Sequence, residues 1–163
     1  MTKHGYLIDM DGVIYRGAEG ILGAADFIRH LQESDVPYLF LTNNSAYTPV
    51  DVVVKLRKFG IATAVEHVYT SALATAEFVH SQKPNGTAFV IGEGGLLSAL
   101  NEVHYAISRE SSDYVIVGEG RVLNFELVEP NAFSVFVGPN AAGKSNVFEA
   151  LEFLSYSLQS STL

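Results

Sequence analysis

The sequence contains no cysteine. Disulfides and thiolate metal sites are therefore excluded, and a reducing compartment is compatible with the chain. Basic residues are also scarce, with 10 Lys and Arg against 18 Asp and Glu and a formal net charge of −8. No basic stripe runs along the chain, which argues against nucleic acid as a general partner. Phosphate ligands stay open, because backbone N–H groups and a metal hold them without a basic surface. Long apolar runs are missing too. None approaches the ~18 residues of a membrane span, and the N-terminal MTKHGYLIDMDG is too acidic and too briefly apolar for a signal peptide. The sequons Asn43-Asn44-Ser45 and Asn85-Gly86-Thr87 then read as chance matches, and the expected location is the cytoplasm. No internal repeat, low-complexity tract or Pro/Ser linker marks a boundary.

What is present is a globular composition, 48% apolar and 17% charged over 163 residues, enough for one ordinary domain. Apolar runs and helical periodicities alternate along it. Gly5 to Asp9 reads as a buried strand. Ala24, Phe27, Ile28 and Leu31 fall on one helical face within Leu22 to Glu33. Pro37 to Thr42 is a second strand, and Thr48-Pro49 opens a helix that ends near Gly60. Strands are then expected at His67–Thr70, Ala88–Ile91 and Tyr114–Val117. Helices are expected from Ser71 (as cap) to Gln82 and from Gly95 to Val103. This alternation predicts an α/β fold with a mainly parallel sheet flanked by helices. Further on, Arg121–Glu129 fits strand or helix, Phe133–Val137 is a clear strand, and Lys144 to about Leu158 is helical.

Asp9-Met10-Asp11-Gly12 follows the first strand. Two carboxylates one residue apart at a strand's C-terminal end sit where open α/β sheets bind ligands. One can attack phosphorus while the other exchanges a proton with the leaving group. Their mutual repulsion calls for Mg²⁺, held by hard oxygens, so Asp9 and Asp11 are also candidate metal ligands. The bare pattern also fits an exposed strand end with solvated acids. A calcium loop fits worse, since Gly12 stands at position 4 and Gly20 at position 12. The second run ends in Thr42-Asn43-Asn44-Ser45, hydrogen-bonding side chains suited to a phosphate oxygen if the two strands are neighbours. Alternatively, that run is a polar turn before the Thr48 cap.

Together IDMDGVIYRG and LFLTNNS resemble the first and second motifs of the haloacid dehalogenase superfamily of phosphatases. TSALATAEF, FVIGEGGLLSAL and DYVIVGEGR resemble its nitrophenyl-phosphatase and nucleotide-phosphatase branch, so the resemblance spans roughly residues 1–120. It implies Asp9 as nucleophile, Asp11 as acid/base, Thr42 and Asn43 as phosphate-binding residues, and a small phosphorylated substrate. The branch carries a large α/β cap after the second motif, and a lysine and a further acidic metal ligand downstream of that cap. Lys55, Lys58 and Lys83 do not match that lysine, so an incomplete core with the start of its cap is expected.

Gly138-Pro139-Asn140-Ala141-Ala142-Gly143-Lys144-Ser145 is a P-loop pattern in its proper context, after a strand and before an apolar helix. Gly138, Asn140 and Gly143 would let the backbone wrap phosphates. Lys144 would reach the β- and γ-phosphates of ATP, and the Ser145 hydroxyl would reach Mg²⁺. The segment resembles the start of AAA/ABC-type ATPases of the chromosome-maintenance and recombination-repair kind. The expected division is 1–120 and 121–163, with a junction between Gly118 and Pro130. Three readings follow: a Mg²⁺-dependent phosphohydrolase impaired by truncation, an ATP-binding module, and a chimeric chain with no working site.

Overall fold

The computed structural model describes residues 4–119 and the backbone of 134–136. The P-loop residues, the helix expected from Lys144 and the segment 121–129 lie outside the described residues.

Two parallel sheets organise the described chain. The first has the order β1-β4-β5, with β1 Tyr6–Asp9, β4 Tyr38–Thr42 and β5 Val68–Thr70. Its register sets Ile8 beside Phe40 and Phe40 beside Val68. Those three side chains share one face and are buried with Ile28 and Leu31 of α1 (Ala24–Glu33) and with Val52, Val53 and Leu56 of α2 (Pro49–Arg57). Helix α2 starts as its sequence predicts. Thr48 Oγ1 accepts from the Asp51 N–H at 3.2 Å, and Asp51 Oδ2 accepts from the Thr48 N–H at 2.9 Å, closing a capping box with Pro49 just inside it. Between β1 and α1 lies a hairpin of two-residue strands, β2 Tyr15–Arg16 and β3 Glu19–Gly20.

The second sheet has the order β7-β6-β8-β9, all parallel: β6 Thr87–Ile91, β7 Ala106–Ile107, β8 Tyr114–Val117 and β9 Ser134–Phe136. Helices α3 (Ser71–Gln82) and α4 (Gly94–Glu102) pack with it through small side chains, Ala72, Ala76 and Ala99, around Leu96, Leu100 and Ile116. The Tyr105 hydroxyl lies 2.8 Å from the Val79 carbonyl and 2.6 Å from the Lys83 carbonyl, pinning the end of α3. Strand β9 extends the sheet beside β8, Ile116 opposite Val135. The strand expected at Phe133–Val137 is thus present and joins this sheet.

The regions meet tightly where α4 begins. The Gly95 N–H donates to the Ala46 carbonyl at 2.8 Å, and a Cβ on Gly95 would lie 2.5 Å from the Tyr47 carbonyl oxygen. Only glycine allows that approach.

Two expectations are corrected. The cap of α3 is Thr70, whose Oγ1 accepts from the Leu73 N–H, while Ser71 is the first helical residue and its hydroxyl donates to the Asn43 carbonyl. Strand β1 is not a buried strand. Leu7 is 73% exposed and Tyr6 47%, because β1 has a neighbour on one side only among the described residues.

Candidate active site

The alternation of β1 continues past its end. Ile8 and Met10 are buried while Asp9 and Asp11 are exposed, so both carboxylates emerge from the same apolar anchor. A tight turn holds them there. The Met10 carbonyl lies 2.9 Å from the Ile14 N–H, and the Gly12 N–H donates to the Tyr15 carbonyl at 2.7 Å. Gly12 has φ +81°, the left-handed region, with open space where a Cβ would stand. Glycine is needed here for conformation rather than for room. Asp9 Oδ1 accepts from the Met10 N–H at 2.8 Å, which orients the carboxylate.

The second run ends at the same edge. Asp9 is in register with Leu41, so Thr42 stands one residue beyond it on the adjacent strand. Thr42 is 8% exposed, and its Oγ1 accepts from the Asn44 N–H at 3.2 Å, leaving its proton to donate. Asn43 is exposed, and its carbonyl accepts from the Ser71 hydroxyl at 2.7 Å. The structure therefore gathers Asp9, Asp11, Thr42 and Asn43 at the C-terminal ends of neighbouring parallel strands. Asn44 and Ser45 have a different task. Asn44 Oδ1 accepts from the Ala46 and Tyr47 N–H groups, its Nδ2 donates to Glu119 at 2.7 Å, and Ser45 Oγ accepts from the Glu119 N–H at 2.8 Å. That part of the run is a polar turn, and it ties the site loop to the end of β8.

Sequence reasoning missed Tyr15. It is 4% exposed, stacks on Phe59 with ring centroids 5.3 Å apart, and carries the Lys55 ammonium 3.6 Å above its ring. Burial, followed by the charges of Asp11 and Asp9, pushes its hydroxyl up to about 12. A neutral phenol thus sits beside the two carboxylates. Nothing in the local sequence signals this, since its burial depends on Phe59 far along the chain. Lys55 and Lys58 line a cleft of about 810 Å³ between the β2–β3 hairpin and α2, with Tyr47 and Phe59. A second cavity of about 710 Å³ lies around Tyr38, Thr63 and His67, at the opposite end of β4 from Thr42. Lys83 pairs with Asp113 instead.

Among the described residues neither Asp9 nor Asp11 forms an ion pair, and no cluster of three or more His, Cys, Asp or Glu gathers at a metal position. Two exposed carboxylates at one strand end still suit Mg²⁺, which is commonly bound by one or two carboxylates with water and a substrate phosphate. Ser145, the third expected ligand, lies outside the described residues.

Residues 6–106 match the family model described as haloacid dehalogenase-like hydrolase, and residues 133–163 match one described as an AAA domain. The chain is 43% identical over 125 residues to the 5'-nucleotidase YutF of Bacillus subtilis, covering 77% of this chain and 49% of that protein. It is 45% identical over 122 residues to an acid sugar phosphatase of Staphylococcus epidermidis, covering 74% and 47%. Among solved structures it resembles a double mutant of the thermostable NPPase of Geobacillus stearothermophilus, with a TM-score of 0.71 and 42% identity over 78% of this chain and 50% of that one. NagD of E. coli K-12 superposes with a TM-score of 0.72 at 33% identity, again covering 78% and 50%. The chain thus spans about half the length of the relatives it matches. Its parallel α/β fold, its strand-end carboxylates and these matches agree: the chain belongs to the haloacid dehalogenase-like hydrolase family.

Proposed function

We propose that the site at the ends of β1 and β4 hydrolyses phosphate monoesters of small molecules through a phosphoryl group carried on Asp9. The observation that supports this most is the placement of Asp9 and Thr42 at the same end of adjacent parallel strands. An Asp9 oxygen attacks phosphorus and the bond from phosphorus to the leaving oxygen breaks. Asp11 gives its proton to that oxygen. Asp11 then takes a proton from the water that attacks the acyl phosphate, which frees phosphate and restores the Asp9 carboxylate. The Thr42 hydroxyl and the Asn43 amide hold the non-reacting phosphate oxygens. Mg²⁺ on the Asp9 carboxylate would screen it from the incoming phosphate, and Asp11 would join the metal shell once it has given up its proton. Tyr15 stays neutral and adds no charge to the site.

Among the described residues neither carboxylate has an ion pair, and Lys55 lies over the Tyr15 ring. Missing one main electrostatic group commonly costs ~10²–10³-fold in rate. The described site alone is therefore expected to turn over slowly. The test is release of p-nitrophenol from p-nitrophenyl phosphate with Mg²⁺. Asp9→Asn should abolish it and Asp11→Asn should slow it strongly. Release that survives Asp9→Asn would overturn the reading. A second reading, ATP binding by Gly138 to Ser145, is favoured by the match of residues 133–163 to an AAA domain. In the same preparation, Lys144→Ala should remove any Mg²⁺-ATP shift in thermal midpoint and leave the Asp9 chemistry unchanged.

A further inference from the structure

We propose that the cleft between the β2–β3 hairpin and α2 is a leaving-group pocket that selects phosphate monoesters whose alcohol has an apolar body and a second anionic group, held by Lys55 and Lys58. The proposal rests on the phosphatase reading for the reaction, but not for the binding.

Both walls of the cleft continue the segments that carry the site residues. On one side the chain leaves Asp9 and Asp11 through the turn at Gly12. There Asp11 bridges to Tyr15, the Gly12 N–H donates to the Tyr15 carbonyl, and the hairpin residues Gly17 and Ala18 follow as one wall. On the other side the chain leaves Thr42 and Asn43 for Tyr47, whose N–H donates to Asn44 Oδ1. It then enters α2, where Val54 and Lys55 form the facing wall. Tyr15 joins the two places. Its ring stacks on Phe59 of the cleft and carries the Lys55 ammonium. Its hydroxyl is pushed up first by burial, then by Asp11 and Asp9, and last by Tyr47 of the cleft wall. An alcohol bonded to phosphorus at Asp9 therefore has this cleft beside it. The volume, about 810 Å³, lies in the range of roughly 300–1,000 Å³ usual for small-molecule pockets.

The lining sets the chemistry of the occupant. Tyr47 and Val54 leave 49% and 50% of their surface open, and Phe59 adds an aromatic ring. Such walls favour a ring or alkyl body over a polyol, whose hydroxyls would lose water without gaining a partner. Lys55 is half-buried and Lys58 exposed, three residues apart at the end of α2. Among the described residues neither forms an ion pair. Asp51, the acid of this lining, is already used. Its carboxylate accepts from the Thr48 N–H at 2.9 Å and from the Thr48 hydroxyl at 2.6 Å. Two ammonium groups thus face one engaged carboxylate, in a chain whose formal net charge is −8. An anion is drawn to such a place, and compact ammonium charges accept a carboxylate or a phosphate.

The experiment compares phenyl phosphate with 4-carboxyphenyl phosphate and benzene-1,4-diyl bisphosphate. Calorimetry on the full chain with Asp9→Asn, in Mg²⁺, reads binding without turnover. Release of inorganic phosphate by the unaltered chain reads KM and kcat. The proposal expects at least one anionic ester to bind roughly fivefold or more tightly than phenyl phosphate, and its KM to fall by a similar factor. That preference should shrink with added salt and collapse in Lys55→Gln and in Lys58→Gln. Lys58 is exposed, so its variant decides the matter even if Lys55→Gln misfolds. The tighter of the two anionic esters tells a carboxylate from a second phosphate. Equal binding of all three esters, or a preference that survives both lysine changes, would overturn the proposal and leave the phosphatase reading in place. A lysine-dependent preference in binding without Asp9-dependent release would uphold the pocket and remove the phosphatase reading.

Discussion

Strands β1 and β8 have nearly the same sequence character, Tyr-Leu-Ile-Asp against Tyr-Val-Ile-Val, and opposite surroundings. β8 lies between β6 and β9, and Val115 and Ile116 are both fully buried. Among the described residues β1 has β4 on one side only, buries Ile8 and leaves Leu7 exposed. An apolar run therefore announces a strand but not the number of its neighbours. The two strands also do different work. β8 holds the second cluster together and, through Glu119, reaches back to Asn44 and Ser45. β1 leads into the carboxylates Asp9 and Asp11, which have no ion pair among the described residues.

The largest effect should appear where the strands differ most. Ile116→Ala empties a fully enclosed position and is expected to cost about 2–5 kcal/mol. Leu7→Ala removes a side chain already in water and should stay within about 0.5 kcal/mol. Urea titration of both variants measures the pair. Equal losses would mean that β1 is covered in solution and would erase the contrast.

A smaller effect lies on the covered side of the first sheet. Hydrogen bonds from the Thr48 hydroxyl and from its backbone N–H hold the Asp51 carboxyl below its ordinary value of 3.8. A carboxylate depressed by folding stabilises the folded chain fully above the ordinary value, and that contribution is lost as pH falls through the depressed one. Thr48→Ala should cost about 1 kcal/mol at neutral pH. Asp51→Asn should flatten the acid side of the stability profile. Thermal melts across the acid range check the sign, and a steeper acid loss in Asp51→Asn would contradict it.

Much of this was legible in the sequence. The alternation of runs predicts the parallel α/β fold, Thr48-Pro49 marks the start of α2, and Tyr114–Val117 is found at its expected bounds. The D-x-D after one run and the hydroxyl ending another put Asp9, Asp11 and Thr42 forward as site residues, and the register brings their strand ends together. What stayed hidden depends on distant partners. The β2–β3 hairpin has only two residues per strand and turns on Gly17 at φ +62°, too short to leave a periodicity. Tyr15 is buried by Phe59 and faced by Lys55, some 40 residues away, and no local pattern encodes such packing. Asn44 reads as one of four equivalent polar residues until Glu119 is seen to claim it. The exposure of β1 was misread because its run is apolar enough for a central strand.

The proposed function stands or falls on Asp9 carrying the phosphoryl group. The direct measurement is chemical trapping. The full chain is incubated at length with Mg²⁺ and p-nitrophenyl phosphate, quenched, reduced with borohydride, digested and sequenced by mass spectrometry. The account predicts reductive conversion at Asp9 alone, absent in Asp9→Asn. Conversion at another carboxylate, or none at Asp9 despite measurable phosphate release, would contradict it.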